Sequence, residues 1–520
     1  MNLLGLVLFL PLAGFFLILF SPRGSKAPYY VALLGTLSTF FCSLGLISPV
    51  MANGSQFTSV INKMWTDVPG MQIRFHLGVD GISIWLVLLT TLLLAVGVWI
   101  SDSMIKDRQK NFFALLLLFE FGLLGVFTAL DLFVFYVFWE IALVPMYLMV
   151  GSWGSGLRGP AAVKFFVYTM LGSVLMLGSI LYLHSYTGTF DYVEIMNGLS
   201  SGTFSLLPSQ QLLLFLGFFA AFAVKVPIFP FHTWLPDTYT QAPAPATFLL
   251  AAVMSKMGAY GLIRYCLTLT SSGAHSCAPW INVLAIIGII YGALLALMQT
   301  NIKRLIAYSS ISHLGFIVLG IFSFRQQGAD GAVYQMIAHG VSTGALFLLA
   351  GYLEQRRGSL EIADFGGIAN VAPGLSTAFM IALLASIGLP TLSNFIGEFL
   401  ILQGAALARF SWAAYAAIGV ILSAAYMLWM YQRVFFGKRS EQAPFFADLS
   451  FRDWAPLLPL ILLMVWLGSY TQSFMPPIST ATSHLLEQTN MNNQYQVLAP
   501  PALKAAGVSN PAVYEAVDAH

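Results

Sequence analysis

The 520 residues are 58% hydrophobic and only 8% charged, with a net charge of +2. A charged fraction about a third of that usual for soluble domains excludes a water-soluble chain and marks a polytopic membrane protein. The three cysteines, Cys42, Cys266 and Cys277, have neither CxxC nor Cys/His spacing, which excludes an iron–sulfur cluster, a zinc site and a disulfide framework.

Asn2 to Phe20 is apolar, without a basic leader or a small-residue cleavage site, and predicts an uncleaved first helix. Fourteen such runs follow one another: 2–20, 29–47, 79–101, 112–130, 132–150, 162–184, 211–229, 245–269, 280–300, 302–323, 331–353, 374–389 continuing to 408, 411–436 and 455–470. Alternate connections differ sharply in basic residues. One set holds fourteen: Arg23, Lys26, Lys106, Arg108, Lys110, Arg158, Lys303, Arg304, Arg356, Arg357, Arg433, Lys438, Arg439 and Arg452; the other holds Lys63, Arg74, Arg325, Arg409 and Lys504. By the positive-inside rule the first set is cytoplasmic, so both termini are expected on the outer side. Lys164, Lys225, Lys256 and Arg264 fall within helices. The polar stretches Ser48 to Leu77 and Thr187 to Gln210 are expected as outer surface loops, and Thr471 to His520 as an extended or partly disordered outer arm.

Two of the runs are interrupted. In AAFAVKVPIFPFHTWLPD, Lys225 follows an uncharged stretch, and Pro227 and Pro230 stand directly behind it. Each proline lacks an N–H and clashes with the carbonyl four residues back, so the helix is expected to break after Lys225 and leave carbonyls unpaired. Such backbone is tolerated only inside protein or along water, where a lysine reads as a working group on an ion path. The second interruption, ASIGLPTLSNFIGEFL, places Gly388 and Pro390 ahead of Glu398. Paired broken helices point to an inverted repeat, here helices 4 to 8 (112–270) and 9 to 13 (280–436). Residues 1–111 then form an N-terminal unit, 437–470 a cytoplasmic loop and helix 14, and 471–520 the tail.

Further polar groups stand at membrane depth. Glu140, in LFVFYVFWEIALVPMY, is expected to pair with Lys225, since opposite charges offset each other's desolvation. Lys256 has no acid within a helical turn; a proton relay needs a lysine that can shed and recover its proton. His313 and His339 can pass a proton between ring nitrogens. His232 lies near a helix end, and Glu398 reads as the exit-side carboxylate. GSWGSGLRGP, from Gly151 to Pro160, lacks a GK[ST] ending and reads as a cytoplasmic turn.

Gly78-Val79-Asp80-Gly81-Ile82-Ser83, Phe138-Trp139-Glu140, Val144-Pro145-Met146-Tyr147 and Lys225-Val226-Pro227 with His232-Thr233-Trp234-Leu235-Pro236-Asp237 resemble the antiporter-like membrane subunits of respiratory complex I, over about residues 1 to 470. The resemblance implies an all-α fold of about 14 transmembrane helices with two inverted five-helix repeats, helices 7 and 12 discontinuous, and a central proton path through Glu140, Lys225, Lys256 and Glu398. Glutamate rather than lysine at the helix-12 position is similar to the M-type branch. It further implies L-type and N-type neighbours, a bacterial inner-membrane location, and NAD, FMN, iron–sulfur clusters and quinone held by partner subunits, with no cofactor or metal in this chain. The alternative is a cation/proton antiporter subunit, against which Glu398 argues.

Overall fold

With no water in the bilayer core to pair the backbone, an apolar run of this length must satisfy its hydrogen bonds internally, and every run folds as a helix. In the computed structural model, which describes residues 2–22, 24–68, 70–438 and 446–498, 13 helices are long and apolar enough to cross a membrane. They are α1 (Leu3–Phe20), α2 (Ala27–Leu44), α3 (Ser83–Met104), α4 (Gln109–Thr128), α5 (Leu132–Trp153), α6 (Arg158–Thr187), α7 (Pro208–Lys225), α8 (Ala244–Leu269), α9 (Ser271–Leu297), α10 (Ile302–Ile321), α11 (Gln326–Arg357), α13 (Phe410–Phe435) and α14 (Phe451–Ser469). The remaining span, α12, is divided into Pro373–Ser386 and Ser393–Ala408. Arg23, Arg439, Lys504 and the tail beyond 498 lie outside the described residues.

Burial sorts the bundle. The most apolar stretches of α8 and α11 are buried throughout, whereas those of α2 and α14 are only 28% buried. A helix that is apolar on all sides and shielded on all sides forms the centre of such an assembly, and the two that do so carry Lys256 and His339.

Three segments between or after the spans depart from expectation. The Ser48 to Leu77 stretch holds most of a β-hairpin, β1 (Thr58–Val68) paired antiparallel with β2 (Met71–Val79), so the fold is not purely helical. The alternating Thr-Ser-Val-Ile sequence of β1 has the β-branched content that favours a strand. Thr187 to Gln210 contains a helix at Tyr192–Ser200, capped by the Asp191 side chain on Glu194 N–H. The tail folds as α15 (Met475–Leu498) rather than as an extended arm, because it has a surface to lie on: Gln326 donates to Thr482 Oγ1 at 2.8 Å, and Thr482 also bonds Asp330. All three segments share one face, where Gln56, His76, Asp80, Tyr192, Arg264 and His484 line a cavity of about 470 Å³. The basic connections gather instead at Lys110, which donates to Leu19 O and Ser21 O, and at the pairs Arg452–Asp102 and Arg356–Asp453.

A pair of matching junctions recurs along the chain. Leu132 N–H bonds Phe190 O and Tyr192 N–H bonds Leu130 O; 170 residues on, Ile302 N–H bonds Leu360 O and Ile362 N–H bonds Thr300 O. Asp131 caps α5 and Asn301 caps α10, while Gly188 and Gly358, at φ 75° and 76°, end α6 and α11 in the left-handed turn that glycine enters without strain. Five spans separate the two junctions, so they stand on opposite faces.

Candidate functional site

The α7 break forms where the two prolines place it. The helix stops at Lys225 and a short helix resumes at Trp234–Gln241. The carbonyls freed there are not left unpaired: Ala223 O accepts from Ile228 N–H at 2.8 Å, and Val224 O accepts from the Trp234 indole at 2.9 Å. The lysine is fully buried, and its ammonium has no hydrogen-bond partner. It lies 5.1 Å from the Trp139 ring centre and 5.8 Å from that of Phe165, within cation–π range. The expected Glu140–Lys225 ion pair is absent among the described residues. Glu140 stands within electrostatic reach of Lys225, but its Oε1 is unpartnered; Trp139, its neighbour on the helix, presents its ring to the ammonium instead.

Gly258 brings α8 against this break, since a Cβ there would stand 2.9 Å from Phe222 O and 3.0 Å from Lys225 Cβ. Lys256 sits two residues earlier, between π-helical segments at Leu250–Met254 and Leu262–Cys266. Such widened turns free backbone carbonyls and occur often at working sites; here Lys256 Nζ donates to Ala251 O at 2.7 Å and contacts Ser255 Oγ at 3.3 Å. Its third partner is His339 Nδ1, at 2.8 Å. The His339 ring lies 5.5 Å centre to centre from that of His313, and His313 Nδ1 bonds Glu398 Oε1 at 2.9 Å. Gln335 donates to the same carboxylate oxygen at 3.1 Å. Nε2 of both histidines has no protein partner, so each imidazole keeps one nitrogen open for proton exchange.

Lys256, His339, His313 and Glu398 thus form one buried polar file across α8, α11, α10 and α12. The α12 break supports its end. Gly388, at φ +77°, turns the chain beneath the carboxylate, and a Cβ there would come within 2.9 Å of Glu398 Oε2. Pro390 follows in the same loop. Within the hydrogen-bonded pairs Lys256–His339 and His313–Glu398 a proton can pass directly, and the two imidazoles stand 5.5 Å apart between them.

The other candidates are placed apart. His232 lies in the turn after the α7 break, its ring 5.6 Å from Phe229 and 5.3 Å from Tyr291. Lys164 pairs with Asp237 at 2.7 Å, and Arg264 with Asp80 at 2.5 Å. On the face that carries the β-hairpin Asp191 meets His76 at 2.5 Å. Burial alone would raise its carboxyl, but the His76 contact and the helix N–H groups outweigh it and hold it below its ordinary value. Asp131 goes the other way: burial pushes it up to about 6 against the N–H groups of Val134, Arg74 and Phe133. Sequence reasoning passed over Glu120, which is wholly buried in α4 with neither oxygen hydrogen-bonded. The signal was available: a single acid in a long apolar run, the criterion that singled out Glu140.

Residues 129–424, which include every group of the file together with Glu140 and Lys225, match the model of the family described as NADH:quinone oxidoreductase/Mrp antiporter, TM. The chain belongs to this family. A relative from Rhodobacter capsulatus named NADH-quinone oxidoreductase subunit M is 41% identical over 499 residues, covering 94% of this chain and 96% of its own. A protein of the same name from Mycobacterium tuberculosis is 38% identical over 538 residues, covering 96% and 97%. Among solved structures, a chain of respiratory complex I from Thermus thermophilus with bound NADH superposes at a TM-score of 0.85 with 32% identity, covering 94% of this chain and all of that one. A chain of a membrane-bound sulfane sulfur reductase, an archaeal respiratory complex, superposes at 0.81 with 26% identity, covering 90% and 76%.

Proposed function

We propose that this chain is the proton-translocating M-type subunit of a bacterial NADH:quinone oxidoreductase, set in the inner membrane between L-type and N-type neighbours with both termini on the periplasmic side. The observation that carries the reading is the file itself, whose contacts of 2.8 and 2.9 Å join Lys256 to His339 and His313 to Glu398 within a fold shared with a chain of respiratory complex I. NAD, FMN, iron–sulfur clusters and quinone are assigned to partner subunits. Among the described residues no cluster of three or more His, Cys, Asp or Glu could hold a metal ion.

Moving a proton against a membrane potential costs about 2.3 kcal/mol per 100 mV, which neighbouring subunits supply by altering charge and hydration along the line. In the cycle we propose, Glu140 modulates the charge on Lys225. The proton then passes to Lys256, through His339 and His313, to Glu398 and out. Helices α4 to α8 and α9 to α13 form the two inverted halves, a division supported by the matching junctions at 130–132 with 190–192 and 300–302 with 360–362.

The test is proton uptake per electron in membrane vesicles carrying Lys225→Ala or Glu140→Gln, with assembly checked on the same sample. Lost uptake in an assembled complex is the expected result. Intact uptake in both variants would remove these residues from the path.

A further inference from the structure

The buried acid of α4 is the polar group for which the proposed cycle has no use. Its position can be read from neighbouring contacts. α4 and α5 run antiparallel, and a Cβ on Gly122 would stand 2.8 Å from Ala142 N, while one on Gly125 would strike the Phe138 ring. Residue 120 is therefore level with Val144, and four residues along α5 separates it from Glu140, about 6 Å of helix rise.

The other side of α4 faces α8. The two helices run parallel, being four crossings apart, and the Phe127 ring lies 5.5 Å from that of Tyr260. Glu120 is seven residues before Phe127, close to two turns, so it shares the face that Phe127 turns toward α8. Counting back equally from Tyr260 arrives at Val253. That level lies between Ala251, whose carbonyl holds Lys256 Nζ at 2.7 Å, and Ser255, whose hydroxyl lies 3.3 Å from it. Glu120 thus shares the depth of the Lys256 amine, stands one turn from the level of Glu140, and lies on the helix that packs against both.

A carboxyl retained only for structure at this depth would bond to a protein donor, because an unmatched buried polar group costs free energy that any apolar side chain avoids. Neither oxygen of Glu120 has such a donor. We propose that Glu120 is a proton-carrying group of the path, standing between the Glu140–Lys225 region and Lys256. In the step, the carboxyl O–H breaks as an N–H forms on the Lys256 amine, and the carboxylate regains a proton arriving from the Glu140 side, with water as the intermediary and no change of oxidation state.

This inference rests on the proton path proposed above, and its test separates the two. Membrane vesicles bearing the whole complex with Glu120→Gln, Glu120→Asp or Lys225→Ala are compared for proton uptake per electron and for assembly on native gels. Glutamine keeps the shape and hydrogen-bonding capacity but cannot carry the proton; aspartate keeps the carboxyl. The expected result is an assembled Glu120→Gln complex that has lost uptake and a Glu120→Asp complex that retains most of it. Full uptake by Glu120→Gln beside a Lys225→Ala complex that has lost it would overturn the role of Glu120 alone. Full uptake by both would overturn the path as well. Failure of assembly in both Glu120 variants would assign the residue to packing and also overturn the proposal.

Discussion

Replacing Glu398 by glutamine separates what this side chain holds together from what it carries. Glu398 Oε1 accepts from His313 Nδ1 at 2.9 Å and from Gln335 Nε2 at 3.1 Å, and a glutamine carbonyl oxygen can accept both. What is lost structurally is the charge assistance of these bonds, worth about 1 kcal/mol, too little to prevent a helix bundle of this size from assembling. What is lost chemically is the group's ability to take up a proton, and removing a proton-transfer group costs at least ~100-fold in rate, about 2.7 kcal/mol. The assay is proton uptake per electron in vesicles, with assembly and electron flow measured on the same preparation. The expected outcome is a correctly assembled complex with uptake abolished or severely slowed. An assembled Glu398→Gln complex with unchanged uptake would refute the file as the route and return Glu398 to a structural role.

Removing one partner of the buried Asp80–Arg264 pair, as in Arg264→Met, is expected to destabilise the subunit by about 3–5 kcal/mol because it strands a carboxylate; the double variant with Asp80→Asn should recover most of the assembled complex on native gels. Asp131 is held at about 6 against an ordinary 3.8, so the folded state binds its proton more tightly than the unfolded chain. Its contribution is fully present below pH 3.8 and lost as pH rises through about 6. Asp131→Asn, whose amide oxygen can still cap α5, should therefore raise thermal stability near pH 8, by up to about 3 kcal/mol, and lose that advantage near pH 4; a pH-independent difference would contradict this. Gly388→Ala should cost about 1–2 kcal/mol from its left-handed backbone and also lower proton uptake, since the new methyl group meets the Glu398 carboxylate. Unchanged uptake in that variant would separate the α12 turn from the file.

Much of the architecture was legible in the residues because membrane insertion is a local constraint. A run of apolar side chains must become a helix whatever surrounds it, and Pro227, Pro230 and Pro390 withdraw hydrogen bonds at stated positions, so the spans and both breaks could be placed from the chain alone. The hairpin at Thr58–Val79 and the helix at Met475–Leu498 were not legible, because neither is an uninterrupted apolar run of membrane length and each is ordered by the face of the bundle on which it lies.

The site divides in the same way. The chemical character of Glu140, Lys225, Lys256, His313, His339 and Glu398 was set by the sequence, since an ionisable group at membrane depth is costly wherever it points. Which groups meet was decided only in three dimensions. Lys256 and His339 are 83 residues apart, and His313 and Glu398 are 85. Their contacts depend on how four helices rotate and shift against one another, which no local pattern specifies. The same lateral packing put Trp139 rather than Glu140 against the Lys225 ammonium, gave the α7 carbonyls to Ile228 and Trp234, and brought Glu120 level with the Lys256 amine. The sequence by itself determined the helices, their breaks and the supply of titratable groups; tertiary packing alone determined the order in which those groups touch, because helix periodicity specifies a face and not the neighbour against which it rests.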